Sequence, residues 1–173
     1  MLMKLGGSAL VTASCAGLGI MKARNFRQHK KNLEQLRSMM VLLRGEILYA
    51  RAPLAEAFWS VGNREEGPAA CLFRETAARM QKQEGEPFFQ IWQEESGRYG
   101  RQLLLTDREL LELQELGRHL GFLDLGMQER TIALYLERAE QSIRYYREHE
   151  REQNRLYTGL GIMGGLFLSI LMC

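Results

Sequence analysis

Apolar residues recur every three or four positions through the middle of this chain, and this spacing limits the available folds more than any other feature. One such stripe consists of Leu33, Leu36, Met40, Leu43, Ile47 and Ala50. A second helix face carries the polar Gln128 followed by Ile132, Tyr135, Leu136, Ala139, Ile143 and Tyr146. A repeat of three to four places side chains on one face of a helix, whereas a half-buried strand needs alternation. The absence of a useful alternating stretch therefore predicts an all-α bundle.

Prolines and a capping motif divide the middle of the chain into helices. Pro53 removes a backbone donor and disfavours helix at Ala52, so the first helix should end there. Pro68 and Pro87 are typical of first helical turns, and Thr106-Asp107-Arg108-Glu109 matches a capping box. These signals predict about six helices: 23–50, 54–61, 68–83, 88–95, one from residue 106 to Gly121, and a long helix from about residue 124.

Residues 5–21 and 156–173 contain no charged side chain. Each segment approaches the roughly 20 residues that span a bilayer, and Lys4 and Lys22 can extend the first. Lysines and arginines follow the first segment and precede the second, which by the positive-inside rule places residues 22–155 in the cytoplasm. We therefore expect a multi-pass cell-membrane protein with spans 5–21 and 156–173, a cytoplasmic helical domain 22–155 and both termini outside.

Two alternatives for the first segment stay open, a cleaved signal peptide and a lipoprotein signal ending at Cys15. Small residues lie on one face of each segment and are candidates for helix packing in lipid: Ala9, Ala13, Gly17, Gly161 and Gly165. The frequent use of glycine and alanine in membrane helices explains them equally well. A homo-oligomer is compatible with Gly161 and Gly165 but is not established by them.

Nothing in the sequence indicates catalysis or a cofactor. His29, His119 and His149 are separated from one another and from acidic or cysteine clusters, so no metal site is predicted. The sequence has no P-loop motif, no G-x-G-x-x-G that follows a predicted strand, and no serine nucleophile motif. The formal charge is +2, and the basic run 22–37 lacks the aromatic residues of a nucleic-acid site. We expect a non-enzymatic protein that does not bind nucleic acid.

Two stretches carry a resemblance to a known family. They are LRSMMVLLRGEILYARAPLAEAF, residues 36–58, and LGRHLGFLDLGMQERTIALYLE, residues 116–137. In the second, the leucine–glycine pairs, Asp124 and Gln128 occur at the family's spacing. Together with the two apolar ends, they resemble the stage III sporulation protein AB family. That family is similar to the cytoplasmic domain of the type II secretion system F protein.

The resemblance implies a platform in a secretion-like channel complex between mother cell and forespore. Its implied partners are a cytoplasmic ATPase like sporulation protein AA and other membrane subunits of the complex. A membrane-tethered helical adaptor unrelated to secretion is the alternative. The family often has a glycine before the proline turn, but this chain has Ala50, Arg51 and Ala52, so we expect no left-handed residue there.

The charges near this first hairpin are the candidates for partner contact: Arg44, Glu46, Arg51 and Glu56. Solvated surface charges are the competing interpretation for each of them.

Overall fold

The computed structural model describes the backbone of residues 2–82, 85–121 and 124–172, and the side chains of residues 21–22, 24–82, 85–121, 124–149 and Met163. The described part of the chain forms six helices and no strand. They are α1 (Leu2–Leu48), α2 (Leu54–Gly62), α3 (Pro68–Gln81), α4 (Phe88–Gly100), α5 (Asp107–Leu120) and α6 (Leu125–Met172). The predicted all-α fold of six helices is confirmed.

Helix starts follow the local signals closely. Pro68 is the first residue of α3, whereas Pro53 and Pro87 directly precede α2 and α4. Thr106 caps α5 with the reciprocal capping box that the sequence predicts. The predicted end of α4 at residue 95 is wrong, because the helix continues to Gly100 and buries Ser96 and Gly100 on the way. Packing of this last turn, which no local signal encodes, extends the helix.

The chain divides into two compact units, to which both long helices contribute. Residues Lys31–Arg144 form one unit, here called the bundle, and Met1–Lys30 with Tyr145–Cys173 form the other, the terminal pair. In the terminal pair, the ring of Tyr146 meets those of Phe26 and His29 edge-on, at centroid distances of 5.3 and 4.5 Å.

An aromatic cluster occupies the core of the bundle. Phe58, Phe73 and Trp92 are fully buried, with ring centroids 5.0 to 6.2 Å apart. The indole Nε1 of Trp92 donates a hydrogen bond of 2.7 Å to the Leu113 carbonyl oxygen, so the ring satisfies its polar atom while buried. Around this cluster, the predicted stripes on α1 and α6 are largely buried. Ala50 is an exception, because it lies beyond the end of α1 and is exposed.

Polar contacts fix α1 against its neighbours within the bundle. Arg37 pairs with Glu140 at 2.8 Å and Arg44 pairs with Glu129 at 2.6 Å. The partners' numbers fall along α6 as they rise along α1, so the two helices run antiparallel. Asn32, which is buried, donates a hydrogen bond of 2.9 Å from Nδ2 to the Leu103 carbonyl oxygen and holds the α4–α5 turn on α1.

The predicted membrane localisation is corrected by the structure. Among the residues that it describes, no helix has the length and apolar character needed to cross a membrane. The described portions of α1 and α6 carry charged side chains at short intervals, and each such charge at a bilayer centre costs about 3 kcal/mol. This finding overturns the expected multi-pass arrangement with both termini outside.

The predicted spans 5–21 and 156–173 fall, apart from Met21 and Met163, outside the residues whose side chains are described. The same holds for the five candidates for helix packing in lipid: Ala9, Ala13, Gly17, Gly161 and Gly165.

Candidate partner-binding site at the first helix corner

The corner between α1 and α2 contains a left-handed residue that is not glycine. Arg51 has a φ of 51°, so the expectation that this turn lacks a left-handed residue is wrong. The Ala52 N–H returns to the Glu46 carbonyl oxygen at 3.1 Å, which closes the end of α1. A left-handed conformation costs a side-chain-bearing residue about 1 kcal/mol, which the closing hydrogen bonds and the packing of α2 offset here.

Two of the four predicted partner-contact charges are engaged within the bundle. Arg44 donates to Glu129 on α6, and both side chains are less than half exposed. Glu46 is only 17% exposed; its carboxylate pairs with Arg64 and accepts a hydrogen bond of 3.1 Å from the Ser60 hydroxyl. Both side chains therefore connect helices and are less available to another protein.

The other two predicted charges, Arg51 and Glu56, point to solvent. Both are exposed, and neither forms an ion pair with another residue whose side chain the structure describes. Arg51 is also the residue with the left-handed backbone conformation at this corner. Of the four candidates, Arg51 has the geometry best suited to an external partner.

Arg51 lines a pocket of about 370 Å³ at this end of the bundle, here called the corner pocket. The corner contributes Ile47, Arg51, Ala52 and Leu54, and the α5–α6 turn contributes Leu120, Gly121, Leu125 and Gln128. Its walls are mainly apolar, and Arg51 and Gln128 add a guanidinium and a side-chain amide. Such a site can hold an apolar side chain while Arg51 pairs with a carboxylate beside it.

The α5–α6 turn is a part of the site that the sequence did not predict. The Asp124 carboxylate accepts hydrogen bonds from the backbone N–H groups of Gly126 and Met127 at 3.2 and 3.1 Å and so fixes the start of α6. Buried Gln128 donates a hydrogen bond of 2.9 Å to the Leu120 carbonyl oxygen at the end of α5. Asp124 and Gln128 carry part of the family resemblance in the sequence, but only tertiary contact shows which end of the bundle they support.

Within the described part of the chain, no group of three or more histidine, cysteine, aspartate or glutamate side chains is arranged to hold a metal ion. The corner pocket itself contains no histidine, cysteine or carboxylate. Its lining consists of apolar residues, the Arg51 guanidinium and the Gln128 amide.

Comparison with known proteins gives one consistent result. The family model described as Stage III sporulation protein AB matches residues 4–173. The stage III sporulation protein AB of Bacillus subtilis (strain 168) is 23% identical over 171 residues, which are 99% of each protein. A solved structure of a stage III sporulation protein AB superposes with a TM-score of 0.67 at 23% identity, covering 72% of this chain and 98% of that one. Since the family model spans nearly the whole sequence, this chain belongs to the stage III sporulation protein AB family.

Proposed function

We propose that this protein is a non-enzymatic scaffold subunit of a secretion-like channel complex between mother cell and forespore, and that it couples this complex to a cytoplasmic ATPase like sporulation protein AA. Its family membership supports the broader role, participation in a multi-subunit complex of sporulation. The finer assignment depends on the resemblance of the helical domain to the secretion F protein and on the corner pocket.

One observation carries the proposal: the corner pocket is built from both stretches that resemble the family. Residues 36–58 supply the α1–α2 side of this pocket and residues 116–137 supply the α5–α6 side. Two segments far apart in sequence thus meet around one solvent-accessible depression. We propose that the ATPase inserts an apolar side chain there and places a carboxylate against Arg51.

The test is the affinity of the purified chain for the ATPase encoded in the same organism, measured by biolayer interferometry. Arg51→Glu should weaken binding at least tenfold, because a like charge replaces an ion-pair partner at the edge of a desolvated contact. Arg51→Gly keeps the left-handed turn without strain and removes only the side chain, so it should weaken binding to a smaller extent.

Arg101→Glu is the matched control, since Arg101 is another exposed arginine and does not line the corner pocket. Wild-type affinity in Arg51→Glu would exclude this pocket as the ATPase contact. Affinity purification of the chain from sporulating cells tests the wider assignment, and recovery without an ATPase or channel subunit would contradict it and favour an adaptor unrelated to secretion.

A further inference from the structure

A second depression lies between α5 and α6, on a face of the bundle that the proposed ATPase contact does not use. This α5–α6 groove has a volume of about 420 Å³. Its α5 side is formed by Glu112, Glu115, Leu116 and His119, and its α6 side by Met127, Arg130, Thr131, Leu134, Tyr135 and Arg138. The lining positions on each helix repeat every three or four residues, so the groove follows the helix axes for about three turns.

Apolar side chains form the floor of the groove and part of its wall. Leu116 and Tyr135 are buried at the base, and burial raises the pKa of the Tyr135 hydroxyl above its ordinary value, with the carboxylates of Glu109 and Glu112 adding to the effect. The floor is therefore uncharged. Met127 and Leu134 stand above it with 44% and 49% of their surface exposed, as expected of apolar residues that a partner covers.

The charged side chains on the two walls of the groove differ in whether they form ion pairs. On α5, Glu112 pairs with Arg108 at 3.1 Å and Glu115 pairs with Arg118 at 3.2 Å. On α6, Arg130 and Arg138 are exposed, and neither forms an ion pair with a residue whose side chain the structure describes. These two arginines are eight residues apart, which is about 12 Å along the helix.

We propose that the α5–α6 groove binds an amphipathic helix of a partner protein, which covers Met127 and Leu134 with its apolar face and presents two carboxylates to Arg130 and Arg138. Charge favours this occupant over the others. If a second copy of the chain docked through the same groove, its Glu112 and Glu115 would already be paired with its own arginines. Its Arg130 and Arg138 would add further positive charge to the contact. A nucleic acid would place phosphates against Glu112 and Glu115.

Two synthetic helices provide the probe. One is a fluorescein-labelled peptide of about 18 residues with leucines at positions i, i+3, i+4 and i+7 and glutamates eight residues apart on its flank. The other carries lysine at the two glutamate positions. Titration of the full chain should raise the fluorescence anisotropy of the glutamate peptide and not that of the lysine peptide, and high salt should weaken this binding.

Variants of the chain assign the binding to the groove. Arg130→Glu/Arg138→Glu should weaken binding of the glutamate peptide at least tenfold and confer binding of the lysine peptide, which the wild type does not bind. Leu134→Asp should weaken binding of the glutamate peptide, and its helical circular dichroism should remain that of the wild type because Leu134 is half exposed. Arg101→Glu is the charge control.

Three results would overturn the proposal: equal binding of both peptides, unchanged affinity in the double arginine variant, or self-association of the chain that Leu134→Asp abolishes without any peptide binding. Arg51→Glu should leave peptide binding unchanged, and the double arginine variant should leave ATPase binding unchanged. Failure of one proposal is therefore distinguishable from failure of the other.

Discussion

The replacement Gly117→Ala would place a methyl group inside the contact distance of Trp92. A Cβ atom built on Gly117 lies 2.2 Å from Cδ1, 2.8 Å from Cγ and 3.1 Å from Nε1 of the indole. Ordinary contact begins near 3.4 Å, so the ring would have to retreat by about 1.2 Å. It is fully buried and bound through Nε1 to the Leu113 carbonyl oxygen, so this retreat disturbs both the packing of the core and a hydrogen bond.

Three contributions set the expected size of the effect. Overpacking of a dense core costs about 1 to 3 kcal/mol, and weakening the buried indole hydrogen bond costs about 1 kcal/mol. Alanine improves helix propensity over glycine by about 1 kcal/mol. We therefore expect Gly117→Ala to lower the free energy of unfolding by about 2 kcal/mol.

Urea unfolding followed by circular dichroism at 222 nm measures this change, and Gly97→Ala is the matched control. Gly97 lies in α4, where the nearest atom to an added Cβ, Nε2 of Gln114, is at 3.8 Å. Only the propensity gain remains there, so Gly97→Ala should stabilise the chain by up to about 1 kcal/mol. A Gly117→Ala protein as stable as the wild type would refute the reasoning. Trp92→Leu in the same background should reduce the cost of the alanine, since it removes the clashing ring.

Two further predictions concern the α5 cap and the charges around α3 and α4. Thr106→Ala removes the hydroxyl that accepts a hydrogen bond from the Glu109 N–H, and it should lower the free energy of unfolding by about 1 kcal/mol. Thr106→Ser keeps a hydroxyl and should retain most of the cap's stabilisation. Equal midpoints of thermal unfolding for the wild type and both variants would contradict this prediction. Arg79 donates to Glu94 at 2.8 Å and holds the pKa of that carboxyl below its ordinary value, with help from Gln90. A lowered pKa in the folded state contributes stability that is present above the ordinary glutamate pKa and is lost as pH falls through the folded-state pKa. The urea midpoint of Arg79→Gln should therefore fall less than that of the wild type between about pH 5 and pH 3. Arg98→Gln is the control, and its midpoint should fall as much as that of the wild type. An unchanged pH profile in Arg79→Gln would contradict the conclusion that Arg79 lowers the pKa of Glu94.

The corner pocket and the α5–α6 groove are two separate surfaces of the bundle that share no lining residue. The corner pocket combines apolar walls with one arginine on a strained turn, and the groove combines apolar side chains with two arginines spaced along a helix. In both places carboxylates on the partner are the expected complement. The proposed binding of two partners requires such separate sites, and the Arg51→Glu and double arginine variants measure each site independently.

The amino-acid sequence by itself determined the helical class, the number of helices and most helix starts. These depend on short-range physics: the spacing of apolar residues, the fixed φ of Pro53, Pro68 and Pro87, and the reciprocal hydrogen bonds of Thr106 and Glu109. Such interactions act within a few residues, so they can be predicted from one amino-acid sequence. The family resemblance likewise followed from residues that are contiguous in sequence.

Only the tertiary structure decided which of the predicted contact charges form ion pairs within the bundle and which remain exposed. Arg44 and Arg51 look alike in sequence, yet Arg44 finds Glu129 85 positions away and Arg51 finds no partner among the described side chains. The left-handed turn at Arg51 was also not predictable, because residue preference argues against it and the closure of α1 onto α2 imposes it. The corner pocket forms where the α1–α2 corner meets the α5–α6 turn, two segments far apart in sequence. The packing of whole helices brings these segments together, and no local sequence pattern encodes that packing.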